Sequence, residues 1–243
     1  MMPAIRRFPL LLSSLLAMLI VWNGVGFAED IPEKVREELD RGKMRLETEF
    51  KAAQESLLSS FDKKISNARS APKLSGEEKQ QLIANIEAEK SIFETLGHIP
   101  FTPAMRTDAI EYLNRVQKAE IALAKIYDRA IDSQTKQKKD EAARALVEEK
   151  NQAIEPKCVA KWTWLQPPNT STQTLWSNGS IGGRKDRTHS WTLDQRHLVI
   201  KWKNKNVPGG FIIETCVISA DGKDLDIKNN FDYKFTAKRL VTD

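Results

Sequence analysis

The composition of this chain changes abruptly at Glu155–Pro156, and that break limits what it can fold into. Residues 29–155 contain no Trp, no Cys and only three Gly, set in a dense run of charged and aliphatic residues. Residues 156–243 contain five of the six Trp, both Cys and six Gly, with repeated turn dipeptides. Few helix breakers upstream and many turn formers downstream predict an α+β chain. Its expected parts are a long-helix antiparallel bundle or coiled coil over 29–155 and a small antiparallel β meander, sandwich or barrel, over 156–243.

Residues 1–28 read as a cleaved signal peptide. Arg6 and Arg7 precede an apolar core over 10–21, and Gly26-Phe27-Ala28 places small residues where a signal peptidase cuts. That core is shorter than the roughly 20 residues a membrane span needs, and no later segment is apolar for long enough. The expectation is an exported protein, periplasmic or extracellular, with no membrane span after cleavage. Export argues against nucleic acid as a partner, although the chain carries a formal charge of +5. The charge is unevenly shared: 22 Lys+Arg face 25 Asp+Glu over 29–155, but 14 face 8 over 156–243. A basic β unit suits an acidic polysaccharide, an envelope surface or an acidic protein face; equally, it can be a solvated surface.

Over 31–70 the apolar residues Val35, Leu46, Leu57 and Ala68 recur every 11 positions, and Leu39, Phe50 and Phe61 repeat that step. Eleven residues in three turns describe a nearly straight helix, roughly 60 Å long at ~1.5 Å per residue. Gly42 lies on this stripe, where a partner helix can approach closely. Ser75 with Glu78 is a capping box opening a second helix that stops at Gly97. Thr102-Pro103 reads as the start of a third helix, and 132–140 as either its continuation or a joint before a fourth. These helices bury their stripes by folding back on one another or by self-association along helix one.

Beyond Pro156 the apolar period becomes two. Trp162 and Trp164 share a strand face, Asn178-Gly179 is a hairpin signal, and Asp194-Gln195 turns into a strand in which Leu198, Ile200 and Trp202 point one way. The strand over 211–219 is apolar on both faces and is therefore expected in the centre. In the last strand Phe231, Tyr233, Phe235 and Ala237 are expected inside. Cys158 and Cys216, in one exported unit, are expected to form a disulfide, the alternative being two buried thiols.

These strand signals resemble an uncharacterised tryptophan-rich β module of exported planctomycete-type bacterial proteins. The pattern is Trp162 with Trp164, Asn178-Gly179, Ser190-Trp191, the strand from Arg196 to Trp202, and the Ser219-Ala220-Asp221-Gly222 turn. Phe93-Glu94, Pro103-Ala104-Met105 and Tyr127-Asp128-Arg129-Ala130 are similar to helical segments preceding such modules. The resemblance implies architecture and export, and carries no functional residue.

No catalytic constellation stands out. His189 and His197 lack a third ligand, so no metal is expected. No Gly-x-Ser-x-Gly elbow, Walker loop or dinucleotide loop occurs, and no cofactor is implied. Asp221, Asp224 and Asp226 read as the solvent face of a hairpin rather than as paired catalytic carboxylates. Trp is the residue type that can carry function, by stacking on sugar rings. Trp162 and Trp176 are the candidates, with Lys201, Arg184 and Arg187 as cationic neighbours. The competing use of all five Trp is the core. The expected role is therefore a non-enzymatic binding module for envelope or extracellular glycan on a helical spacer; the alternative is a structural or assembly protein acting through a helical partner or self-association.

Overall fold

The computed structural model describes residues 31–183, 188–195 and 197–241, so the expected leader lies outside the described residues. These residues form four helices and a seven-stranded antiparallel sheet curled into a half-barrel. Helix α1 (Glu33–Ser70) buries Leu39, Leu57, Phe61 and Ile65 of the stripe. Helix α2 (Gly76–Leu96) opens on the reciprocal Ser75–Glu78 capping box and ends at Gly97, whose φ of 69° is the left-handed conformation a helix C-terminus favours.

Helix α3 (Arg106–Lys136) begins later than Thr102-Pro103 predicts. The backbone N–H groups of Phe101 and Thr102 donate to Glu89 Oε1, at 2.9 and 3.2 Å, so the chain over 98–105 is pinned to α2 as a connector. Lys138, at φ 59°, separates α3 from α4 (Asp140–Ala153). Helix α1 packs on α2 and α3, and α3 on α4. No helix of the described residues is long and apolar enough to cross a membrane.

Strands β1 (Cys158–Gln166) and β2 (Asn169–Trp176) form a hairpin. Five more follow: β3 (His189–Leu193), β4 (His197–Lys203), β5 (Phe211–Ile218), β6 (Asp224–Asn229) and β7 (Lys234–Leu240). The spatial order is β2-β1-β7-β6-β5-β4-β3. The chain therefore crosses from one edge to the other after β2, and a five-stranded meander brings β7 back beside β1. Asn178-Gly179 belongs to that crossing. It is flanked by bridges from Leu175 to Ile181 and from Ser180 to Ser190, which tie edge strand β2 to edge strand β3.

The two compositional halves share one core. Phe61, Ile86, Phe93, Ile99 and Phe101 cluster with Trp162, Trp164, Leu198, Ile200 and Ala237 on the concave side of the sheet. A second cluster, with Leu39, Leu123, Tyr127 and Leu146, joins α1, α3 and α4. The expected disulfide is not formed, and both cysteines are free thiols. Cys158 on β1 and Cys216 on β5 are three strand spacings apart, on the order of 14 Å along the sheet. A disulfide spans at most about 7 Å between Cα atoms.

Helices and sheet are joined through Glu89 on α2 and Arg239 on β7, whose side chains are 2% and 1% exposed and meet at 2.6 Å. Arg239 also donates to Ile99 O at 2.8 Å, and its guanidinium lies over the Phe101 ring. Phe101 in turn meets Trp162 edge-to-face at 5.3 Å. Gly222 closes this site: at φ 74°, a Cβ there would stand 2.5 Å from Glu89 Oε1 and 3.0 Å from Thr102 N. Removing one partner leaves a buried charge unpaired, so Glu89→Leu or Arg239→Leu is expected to destabilise the protein by about 3–5 kcal/mol in urea unfolding. The double variant should lose less than the sum of the two.

Candidate functional site

The structure puts most of the tryptophans inside. Trp162 is fully buried, Trp164 and Trp191 are buried, and Trp202 is half-buried with its ring 5.3 Å from that of His189. Trp162 is thus a core side chain and not a sugar-stacking surface, because the sheet curls around it and Phe101 closes over it. Trp176 is half-buried, and its indole N–H donates to Gly182 O at 2.7 Å. Arg184 and Arg187 lie outside the described residues. His189 and His197 sit at opposite ends of the β3–β4 ladder, opposite Trp202 and Val217 respectively. Among the described residues no group of three His, Cys, Asp or Glu side chains gathers as metal ligands would. Asp221 accepts from Ser219 Oγ at 2.7 Å and organises the turn.

Lys201 is exposed on the convex side of the sheet, and that side carries the chemistry. Along β5, Glu214, Cys216 and Ile218 point inward, while Phe211, Ile213, Thr215 and Val217 point outward. The strand reads as apolar on both faces, yet the helices cover only one. Phe211, Ile213 and Val217 are left exposed, Val217 by half. Lys201 and Lys203 on β4 stand opposite Ile213 and Phe211. On the other flank Lys228 of β6 lies opposite Thr215 on one side and Lys234 of β7 on the other. A groove of about 750 Å³ runs from Ile213 and Val217 over Lys228 and Asn230 to Lys234 and Thr236, with Asp226 the one carboxylate in its lining.

One end of the groove is set by the 229–234 turn. Asn229 Oδ1 accepts from the backbone N–H groups of Phe231 and Tyr233 at 2.9 and 3.0 Å, and Asp232 takes a positive φ of 62°. The strand consequently starts only at Lys234. Phe231 and Tyr233, expected inside, are instead exposed by nearly half. Asn230 fastens the same turn to β5, accepting from Ile213 N at 3.0 Å. Lys228 and Lys234 are like charges directly across a ladder, an arrangement that costs stability. Lys228 meets Asp232 at 2.6 Å, and Lys228 and Lys234 together hold the Asp232 carboxyl below the ordinary Asp range. Asp232 offsets part of that repulsion, and an acidic ligand seated between the lysines would offset more of it.

Sequence reasoning located the lysine face through Lys201 and missed Phe211, Ile213, Phe231 and Tyr233. The signal for the first two is the doubly apolar β5, which does lie inside the sheet, paired with β4 and β6. In a single sheet with one covered side it marks an exposed apolar strip. Comparisons with protein-family models, with curated proteins and with solved structures find no match for this chain.

Beneath the groove, Glu214 is buried, with no cation beside it among the described residues. Trp164 Nε1 donates to it at 3.3 Å and the Trp202 indole lies alongside. Burial pushes this carboxyl above the ordinary Glu range, more than the two indoles lower it. The folded state then binds the proton more tightly than the unfolded chain, whose Glu titrates near about 4.3. The stability this supplies is complete below that value and is lost as pH rises through the folded value. Glu214→Gln is therefore expected to gain stability relative to the parent as pH increases from 4 to 8, read from urea midpoints across that range.

Proposed function

We propose that the protein is an exported, non-enzymatic binding protein for an acidic polysaccharide, which lies in the convex groove across β5, β6 and β7. The observation that carries this reading is the Lys228–Lys234 pair set between an exposed aliphatic row and the exposed rings of Phe231 and Tyr233. Aromatic rings are rigid amphipathic surfaces that bury the apolar face of a sugar at low entropic cost. Lysines supply point charges for carboxylate or sulfate groups, with Lys201 and Lys203 extending the positive strip along β4. Asn230 and Thr236 add hydrogen-bonding groups at the groove. The helices, read as an antiparallel bundle, form the base that curls the sheet and turns this face outward. The resemblance to exported β modules and the leader at 1–28 support a periplasmic or extracellular setting.

Calorimetric titration with polygalacturonate, using dextran as the neutral control, tests the reading. Saturable binding of polygalacturonate that weakens with added salt is expected, with none for dextran. The double variant Lys228→Gln, Lys234→Gln should lose at least about tenfold in affinity (~1.4 kcal/mol), and Tyr233→Ala about fivefold (~1 kcal/mol). Unchanged affinity in both variants, or equal binding of dextran, overturns the proposal.

A further inference from the structure

A second surface, on the helices, is built differently. Helices α1 and α3 enclose a groove of about 720 Å³ floored by Gly42, Leu46, Ala119, Ala122 and Ile126. Gly42 is what lets the two helices close at its base. A Cβ there would stand 2.8 Å from Ile126 Cδ1 and 2.9 Å from Leu123 Cδ1. Met44, on the groove wall, is 67% exposed.

The rim carries four cations, Arg41 and Arg45 from α1 and Arg115 and Lys118 from α3, against one carboxylate, Glu49. Glu49 is already engaged by Arg115 at 3.2 Å. Among the described residues Arg41, Arg45 and Lys118 form no ion pair.

The placement of these cations selects the occupant. The Glu38–Arg129 and Glu49–Arg115 bridges bracket the groove. Arg41 therefore stands toward one end and Arg115 with Lys118 toward the other, with cations on both walls. A single anionic head group, as on a fatty acid, needs cations gathered at one end. A second copy of the same face would oppose positive rims. A helix with an apolar stripe between two acidic flanks matches both walls at once. Residues 41–49 give it about 12 Å of contact at ~1.5 Å per residue, or roughly two to three turns.

We propose that the α1–α3 groove receives an amphipathic helix of another protein, acidic on both flanks, in the helix-in-groove mode. This interaction is independent of polysaccharide binding on the sheet.

The probe is a stapled, fluorescein-labelled helical peptide of about four turns, with Leu at i, i+3, i+4 and i+7 and Glu on both flanks. Its anisotropy is followed against the full-length protein, with a Lys-for-Glu peptide as control. Saturable binding of the acidic peptide alone is expected. It should weaken at least tenfold in the surface variant Arg45→Glu, Lys118→Glu and also in Met44→Glu, and stay unchanged in Lys228→Gln. Four results would each overturn the proposal: no saturable binding of the acidic peptide; equal binding of the basic one; retained affinity in the charge-reversed variant; or displacement of the peptide by an equimolar amount of palmitate. A concentration-dependent dimer in light scattering that Met44→Glu abolishes would assign the groove to a second copy instead.

Discussion

The buried Glu89–Arg239 pair is the constraint on which the rest of the architecture depends. Neither charge is tolerable alone at that depth, so α2 and β7 are held in one relative position. The same two side chains take up the backbone of the 98–105 connector at Ile99, Phe101 and Thr102. That connector sets Phe101 against Trp162 and delays the start of α3 until Arg106. Arg106 then reaches β3–β4 by donating to Gln195 O at 2.8 Å, so the same region also orients α3 on the sheet. Gly222 completes the fit, because any side chain there would displace the carboxylate.

A sheet covered on one side by helices has a definite consequence for its other side. The concave face absorbs the indoles, including Trp162 and Trp164, and becomes core. Among the described residues nothing lies over the convex face, so apolar residues placed there remain exposed. Phe211, Ile213 and Val217 on β5, with Phe231 and Tyr233 in the turn between β6 and β7, are therefore a standing cost in the folded protein. Opposed Lys228 and Lys234 add a second cost on the same surface. Unfavourable terms collected on one face distinguish it from the evenly solvated lysine surface that composition alone describes.

The far end of the helices is secured by a separate device. Glu149 on α4 is nearly buried and accepts from Tyr127 Oη at 2.9 Å, and from Arg36 Nη1 and Lys43 Nζ at 2.7 Å. Burial raises this carboxyl, but the two cations outweigh it and hold it below the ordinary Glu range. With α4 fastened to one side of α1 and α3, the side carrying Gly42, Ala119 and Ala122 stays open. The α1–α3 groove thus exists because α4 is short and committed elsewhere.

Local signals were legible in the sequence wherever chemistry acts over a few residues. The 11-residue stripe on α1, the Ser75–Glu78 capping box, the Gly97 stop and the strand alternation through Leu198 and Ile200 all depend on neighbours within one turn or one hairpin. Long-range pairings were not legible. Cys158 and Cys216 share a unit, but strand order, with β7 and β6 between them, decides that they stay apart. Asn178-Gly179 makes the expected tight turn, Trp176 N donating to Ser180 O at 3.0 Å, but only the fold shows that its returning arm bridges to β3 at Ser190. Phe231 and Tyr233 continue the alternation of β7, but Asn229 draws them into a turn and outward. Sequence alone determined that helices precede strands and which face of each is apolar, since periodicity encodes that directly. Only the tertiary structure decided which apolar face would be covered, because that depends on where a distant ion pair brings the helices down on the sheet.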